Sequence, residues 1–268
     1  MLHEDYHVHC LNSPDSKEPL EEICRGAVEA GIREIMVTDH YEMFHNEEKW
    51  PPYRREYLEQ CFRTMEECRE RFEGQVFVGF GAELGQWQLQ PEAAKRVVGD
   101  YPFDYVIGSL HKMDDVDLKY FRYEEIDTGG LLRRYLEDLL AIARLGDFDC
   151  LGHLDLIKRY AAEQGVSIRA EAEEELVREI LRTLVERGKG LEINTSGLRQ
   201  AVKETFPSRT ILGWYLEEGG TILTVGSDAH RRQDVGAGFK EAKALALALG
   251  FTYISCFRER KLIQKKIE

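Results

Sequence analysis

Short runs of apolar residues recur along the chain, each bounded by Gly, Asp or Ser and rich in Val, Ile, Phe and Tyr. Continuous apolar runs of this length are typical of strands in a parallel sheet that is buried on both faces. They predict strands over Tyr6–His9, Glu34–Asp39, Val76–Glu83, Tyr105–His111, Cys150–His153, Leu191–Asn194 and Ile222–Asp228.

Amphipathic stretches lie between these runs and predict helices. In the first, the apolar residues from Leu20 to Val28 follow helical spacing, with Pro19 near the start and Gly31 at the end. In another, Ser208 stands where an N-cap is expected. Further helices are predicted over Arg54–Arg71, Leu131–Arg144, Glu171–Arg187, Ser208–Glu218 and Glu241–Leu249, and a terminal hairpin over Phe251–Ile267.

The regular alternation of strand and helix predicts an α/β fold. About seven strands favour a closed or nearly closed barrel of parallel strands. The sequence contains no linker, repeat or low-complexity segment at which a domain boundary would be expected. We therefore expect residues 1–268 to form a single domain.

Composition narrows the range of functions. The chain has 268 residues, of which 43% are hydrophobic, and a formal net charge of −13. An acidic chain has little basic surface for nucleic acid, and no apolar stretch approaches the roughly 20 residues of a membrane span. The six cysteines form no close pair, and the first residues lack the order of a signal peptide. We expect a cytoplasmic protein with no nucleic-acid or membrane partner.

Six of the eight histidines fall in or just after the predicted strands, often with an acidic residue nearby. One histidine in such a place is more often a hydrogen-bonded core residue than a ligand. Six of them, with Asp39, Glu83 and Asp228 in the same places, favour another interpretation. The carboxyl ends of barrel strands meet around one mouth, where imidazoles and carboxylates together make a metal site of mixed nitrogen and oxygen ligands.

The motifs that carry these residues resemble a known family. They are His7-Val8-His9, Thr38-Asp39-His40, Gly81-Ala82-Glu83, Gly108-Ser109-Leu110-His111, Gly152-His153 and Gly226-Ser227-Asp228-Ala229-His230. Together they resemble the polymerase-and-histidinol-phosphatase (PHP) superfamily, and the resemblance runs from Tyr6 to about Phe257. The stretches from Gly152 to Tyr160 and from Glu192 to Arg199 are similar to the stand-alone histidinol-phosphate phosphatases. The resemblance implies a distorted (β/α)7 barrel with a trinuclear metal centre at the carboxyl ends of its strands.

The resemblance also implies which residues hold the metal. The implied ligands are, for the first ion, His7, His9, Glu83 and Asp228; for the second, Glu83, His111 and His153; and for the third, Asp15, His40 and His230. Glu83, Asp228 and His230 are expected to be catalytic. Asp39 would orient His40 or a neighbour. Because no cysteine stands at a ligand position, the expected cofactors are two to three divalent transition-metal ions, namely Zn, Mn or Fe.

A cluster of divalent ions suits phosphoester hydrolysis by a metal-bound hydroxide. The expected substrate is a small phosphorylated molecule, histidinol phosphate, and the expected products are L-histidinol and phosphate. Arg159 and Arg199 have the guanidinium forks that bind phosphate oxygens, although either residue could instead form a surface salt bridge, and Lys112 is a further cation. We expect Glu42, Asp114 and Asp115 to lie in solvated surface loops.

Three alternatives stay open at this point. The chain could be a PHP phosphoesterase of other specificity, such as a phosphodiesterase, an exonuclease or a phosphotyrosine phosphatase. It could be a metal-binding regulatory module without turnover. An amidohydrolase barrel is the third alternative, but no lysine stands at a strand end where a carboxylated lysine would bridge two metals.

Overall fold

The computed structural model describes residues 2–45 and 55–267. Its strands are β1 (Glu4–Val8), β2 (Glu34–Val37), β3 (His40–Glu42), β4 (Phe77–Gly85), β5 (Tyr105–Ser109), β6 (Lys112–Met113), β7 (Val116–Asp117), β8 (Cys150–Leu151), β9 (Gly190–Asn194), β10 (Leu223–Gly226), β11 (Tyr253–Arg258) and β12 (Lys261–Lys266). Its helices are α1 (Leu20–Ala30), α2 (Arg55–Arg71), α3 (Pro91–Asp100), α4 (Thr128–Leu145), α5 (Ile157–Glu163), α6 (Glu174–Glu186), α7 (Arg209–Glu217) and α8 (Phe239–Leu249). Arg54, the predicted first residue of the second helix, lies outside the described residues.

Seven parallel strands of the described part of the chain form one sheet in the order β1-β2-β4-β5-β8-β9-β10, and β3 extends the pairing along β4. The first strand meets the segment that follows the last one at an isolated bridge between Val8 and Ala229. There the backbone N–H of His9 donates to the Ala229 carbonyl at 2.8 Å. The sheet is therefore a nearly closed barrel with helices around it, and the predicted α/β barrel is confirmed.

Asp5 on β1 stabilises this junction between β1 and the segment after β10, which we call the seam. Its buried carboxylate accepts hydrogen bonds from the backbone N–H of Ser227 at 2.9 Å, the Ser227 hydroxyl at 2.5 Å and the backbone N–H of Gly236 at 2.9 Å. Burial raises the pKa of Asp5 to about 6, although these hydrogen bonds oppose the shift. Because Asp228 directly follows Ser227, the seam fixes the start of the segment that carries Asp228 and His230.

The helices begin and end largely where the sequence predicts. α1 buries the face formed by Leu20, Ile23 and Ala27, and it ends at Gly31, whose φ of 72° favours glycine. The Ser208 hydroxyl accepts from the backbone N–H of Ile211 at 3.5 Å and caps α7. Helices α3 and α5 were not predicted from the sequence, since they are short and carry few apolar residues in register. α5 places Arg159 one turn after the segment that carries His153.

The predicted terminal hairpin is confirmed as β11 and β12, which pair antiparallel and cover the amino-terminal end of the barrel. The Phe257 backbone N–H donates to the Tyr6 hydroxyl at 2.7 Å. The Arg260 backbone N–H donates to the Asp104 carbonyl at 3.0 Å, and its guanidinium lies 3.1 Å from Asp149. These contacts lie at the starts of barrel strands. The histidine cluster lies at the other end of the barrel, where the strands end.

No helix within the described residues is long and apolar enough to cross a membrane. All six cysteines of the sequence lie in the described part of the chain and are buried free thiols. Cys10, which follows His9, is in the core, as predicted, and its thiol donates to Asp39 at 3.0 Å.

Candidate metal centre

The barrel brings all nine predicted ligands together at the mouth formed by the carboxyl ends of the strands. They come from seven places along the chain: His7 and His9 at the end of β1, Asp15 in the loop after it, His40 in β3, Glu83 in β4, His111 after β5, His153 after β8, and Asp228 and His230 after β10. Parallel strands that start together end together, so residues distant in sequence become neighbours here.

Glu83 lies at the centre of this cluster and is 1% exposed. Its Oε1 lies 2.9 Å from His111 Nε2 and 2.7 Å from His153 Nε2. Its Oε2 faces the other side, 3.3 Å from His7 Nε2 and 3.0 Å from His40 Nδ1. The two oxygens of one carboxylate therefore face two different groups of imidazoles, which is the arrangement that a bridging carboxylate requires.

A second group lies beside Glu83 at the end of β1. The Nε2 atoms of His7 and His9 approach to 3.1 Å, and Asp228 Oδ1 lies 3.4 Å from His9 Nε2. Two imidazole nitrogens that face one another at this distance, with a carboxylate beside them, converge on a common point. This convergence is the donor set expected of a divalent ion with nitrogen and oxygen ligands.

A third group lies nearer to solvent. Asp15 Oδ2 is 3.1 Å from His230 Nε2 and 3.4 Å from His40 Nε2, and its side chain is 53% exposed. The ring of His9 stacks against those of His230 and His40, with centroid distances of 4.2 and 4.5 Å. Asp15, which alone reads as a turn residue, is thus brought to the cluster by the loop after β1.

The charges of the cluster depend on one another. Burial would lower the pKa of His7, but the carboxylates of Glu192 and Glu83 raise it well above its usual value. Burial and the adjacent cationic imidazoles of His230 and His40 lower the pKa of His9 to about 3. Burial would raise the pKa of Glu83, but the imidazoles of His111 and His7 hold it well below its usual range. The buried carboxylates thus attract positive charge.

Two buried polar atoms indicate whether the site suits a metal ion. Within the described residues, Glu83 Oε2 and His40 Nδ1 lie 3.0 Å apart but are not aligned for a hydrogen bond, and neither makes a hydrogen bond to any other group. Buried polar atoms without partners are costly. A divalent cation would satisfy both lone pairs and replace the protons that the imidazoles would otherwise hold. The donor set therefore fits metal binding.

Two further carboxylates support the cluster from outside, and neither role was predicted from the sequence. Glu42 accepts from His111 Nδ1 at 2.7 Å and is buried, so the prediction that it lies in a solvated loop is wrong. Glu192 accepts from His7 Nδ1 at 2.7 Å. For Glu192 the available signal was a charged residue inside a predicted strand that is otherwise buried, because such a charge persists only when it is paired.

Asp39 acts through Ser13. Its Oδ1 accepts from the Ser13 hydroxyl at 2.8 Å and from the Cys10 backbone N–H at 2.8 Å. The Ser13 oxygen lies 3.0 Å from His9 Nδ1 and accepts from the His40 backbone N–H at 3.1 Å. Asp39 therefore orients both His9 and His40 through one hydroxyl, in agreement with the supporting role expected for it.

A cavity of about 1110 Å³ opens above the cluster and is lined by both predicted arginines. Arg159 lies 3.6 Å from Glu163, and its buried Nε has no hydrogen-bond partner among the described residues. Arg199 donates to the Ser227 carbonyl at 2.8 Å and lies 3.6 Å from Asp234. Arg159 therefore forms an ion pair with Glu163 while its Nε makes no hydrogen bond within the described residues, whereas Arg199 is held in place beside the segment that carries Asp228.

The segment between β5 and α4 forms one wall of this cavity. Strands β6 and β7 make a small hairpin there, and Asp117, Lys119 and Tyr120 line the opening. Lys112 lies 3.1 Å from Glu42 and also lines the cavity. Asp114 points away and pairs with Arg134 at 2.6 Å, as expected of a solvated residue.

Comparison with known proteins supports the same interpretation. The PHP domain family matches residues 5–196. A probable histidinol-phosphatase of Thermotoga maritima is 31% identical over 98% of this chain and 99% of its own length. A probable histidinol-phosphatase of Clostridium acetobutylicum is 30% identical over 90% of this chain and 92% of its own.

A solved structure is similar over the whole fold. The histidinol phosphate phosphatase of Lactococcus lactis, crystallised with zinc, L-histidinol and phosphate, covers 98% of this chain and 100% of its own at a TM-score of 0.83 and 25% identity. The family match covers well over half of the chain, and the relatives align with nearly all of it. This chain therefore belongs to the PHP domain family.

Proposed function

We propose that this protein is a metal-dependent phosphatase that hydrolyses L-histidinol phosphate to L-histidinol and phosphate. One observation carries the proposal: the buried carboxylate of Glu83 divides the imidazoles of the mouth into two groups, one facing each oxygen. The relatives named as histidinol-phosphatases align with nearly the full chain, which supports this ester over others.

The proposed centre holds two to three divalent ions. His7, His9 and Asp228 would hold one of them with Glu83, which would also join His111 and His153 around a second. A third would lie between Asp15, His40 and His230. The similar structure from Lactococcus lactis contains zinc. Mn and Fe suit the same nitrogen and oxygen ligands, so the identity of the metal is part of the test.

When bound, such ions hold phosphate oxygens, lower the pKa of a water and offset charge at phosphorus. The residues of the chain orient the ester for this chemistry. Arg159 lines the cavity, its Nε makes no hydrogen bond within the described residues, and its guanidinium would bind the phosphate dianion. Arg199, held by the Ser227 carbonyl, would place a second guanidinium beside Asp228. Asp228 and His230 line the same cavity and would contact the reacting phosphate with Glu83.

The proposed partner is a small phosphorylated molecule. The cavity is lined by both acidic and basic side chains, among them Asp117, Glu163 and Lys119. A mixed rim suits an ester that carries a phosphate at one end and an amine at the other. The cytoplasmic location, the absence of nucleic-acid and membrane partners, and the single domain over residues 1–268 stay predictions.

A screen of phosphate release tests this proposal. Protein freed of metal and reloaded separately with Zn, Mn or Fe(II) is offered histidinol phosphate, other small monoesters, phosphotyrosine and single-stranded oligonucleotides. We expect the highest kcat/KM for histidinol phosphate. Faster release from phosphotyrosine or from oligonucleotides would replace this function with the corresponding alternative, and no release from any ester would favour a regulatory module.

A further inference from the structure

Glu192 is a fully buried carboxylate behind the cluster. It stands in the middle of β9, between β8 and β10, and is 0% exposed. Its two oxygens face different partners. Oε1 lies 2.7 Å from His7 Nδ1, and Oε2 accepts from the backbone N–H of His153 at 2.9 Å and from the Asn194 side chain at 3.3 Å.

A glycine on the next strand makes room for this carboxylate. A Cβ on Gly226 would lie 2.3 Å from Glu192 Oε1 and 2.3 Å from the His7 Cβ. Any side chain at position 226 would therefore displace either the carboxylate or His7. Gly226 of β10 therefore lies without a side chain at the point where Glu192 of β9 contacts His7 of β1.

We infer that Glu192 is a positioning residue that joins two of the proposed ion sites, fixing the ring of His7 on one side and the backbone of His153 on the other. A carboxylate only accepts hydrogen bonds, so His7 must carry its ring proton on Nδ1. Once an ion displaces the proton on Nε2, that atom would offer its lone pair to the ion beside Glu83 and Asp228. Ligating histidines are commonly fixed through the second ring nitrogen in this way.

The geometry explains why a glutamine cannot replace Glu192. Both oxygens accept at once, one from an imidazole and the other from a backbone N–H. An amide offers one acceptor and one donor group. In Glu192→Gln, either His7 Nδ1–H or the His153 N–H would face an NH2 group and lose its partner. With the amide oxygen toward His153, His7 would rotate or take the other tautomer, and its Nε2 would no longer serve as before. With the oxygen toward His7, the backbone that carries His153 would lose its partner instead.

The inference rests on the metal centre of the proposed function, and metal affinity is its readout. We would measure Zn²⁺ binding to metal-free protein by chelator competition for wild type, Glu192→Gln and Glu192→Asp. Loss of such a supporting partner typically weakens metal binding about 10- to 100-fold. Glu192→Gln should show this loss for the ions held by His7 and His153, while the ion near Asp15 binds as in wild type. Glu192→Asp keeps two acceptors and should recover part of the affinity.

Gly226→Ala gives a test that leaves Glu192 in the chain. Because the added methyl collides with Oε1 or with His7, we expect an affinity loss similar to that of Glu192→Gln. Gly99→Ala on α3 is its control, since a Cβ there would have no neighbour within 4 Å among the described residues. It should bind Zn²⁺ as wild type does.

Glu34→Gln is the matched control for Glu192→Gln. Glu34 is also a buried glutamate of a barrel strand, but it pairs with Arg258 at 2.6 Å at the opposite end. Glu34→Gln should therefore lower the free energy of unfolding of the metal-free protein without changing its Zn²⁺ affinity. If Glu192→Gln and Gly226→Ala bind every ion with wild-type affinity, or if Glu34→Gln loses affinity equally, the inference is wrong. Wild type that binds Zn²⁺ but releases no phosphate would refute the proposed function and leave this comparison valid.

Discussion

Replacing Glu83 by glutamine tests the centre of the site with the smallest change of shape. The amide keeps the volume of the carboxylate but removes its charge and one of its two acceptors. In the described structure, Glu83 is 1% exposed and lies within 3.5 Å of His7, His9, His40, His111 and His153. No water can replace the lost charge at such a buried position.

The expected magnitude follows from this burial. Breaking a buried charge pair typically costs about 3–5 kcal/mol, and 1.4 kcal/mol corresponds to a factor of about ten. If Glu83 bridges two ions, Glu83→Gln should therefore weaken the binding of both by roughly two orders of magnitude or more. The value of kcat/KM on histidinol phosphate should fall at least as far, because both ions are expected to act on the phosphate.

The assay combines metal analysis with kinetics. Elemental analysis after dialysis gives the number of ions per chain, and chelator competition gives their affinity. His3→Ala is the control, because His3 Nδ1 lies 2.8 Å from the Gly31 carbonyl, away from the cluster. His45→Ala is a second control outside the cluster. If Glu83→Gln binds as many ions as these controls and turns over equally fast, the bridging assignment is refuted.

Three further predictions concern the phosphate, the metal and the seam. Arg159→Ala and Arg199→Ala should raise KM at normal metal content and lower kcat/KM by about 10- to 150-fold, since a charge-assisted hydrogen bond contributes roughly 1.5–3 kcal/mol. Lysine at either position should recover only part of the loss. Arg96→Ala, at an exposed position on α3, is the control. Equal kinetics for the three alanine variants would mean that other residues bind the phosphate. Chelation should abolish phosphate release and lower the midpoint of thermal unfolding, because ions that bind only the folded chain stabilise it; an unchanged midpoint would count against structural binding. Asp5→Ala should lower the free energy of unfolding in urea by about 3 kcal/mol, because it leaves the buried donors of Ser227 and Gly236 unpaired, and a change below about 1 kcal/mol would contradict the role of the seam.

The barrel could be predicted because its strands are buried on both faces. A continuous apolar run such as the one in β5 requires a covered sheet, and the polar turns between runs separate strand from helix. The residues after these strands could then be expected at one mouth. The short elements could not be predicted: β3 and α5 have too few residues for a period to be visible, and their conformation depends on pairing with β4 and on packing against the cavity wall.

The residues that touch the proposed ions were visible in the sequence, whereas their supports were not. His153 follows a short strand and shares a motif with Gly152, so its position alone was informative. Glu192 lies in the middle of a strand, and only the barrel geometry determines that it faces His7 across β10. The sequence around Glu42 resembles an exposed loop. Glu42 is buried because β3 pairs with β4. Such partners are set by tertiary contact rather than by local pattern.

The central claim is that a cluster of divalent ions bound by this chain hydrolyses histidinol phosphate. Titrating metal-free protein with Zn²⁺ or Mn²⁺, while recording phosphate release against the number of ions bound per chain, tests it most directly. We predict no release without metal and a rise to a plateau at two to three ions. Release by the metal-free protein, a plateau at one ion, or no release from histidinol phosphate at full occupancy would contradict it.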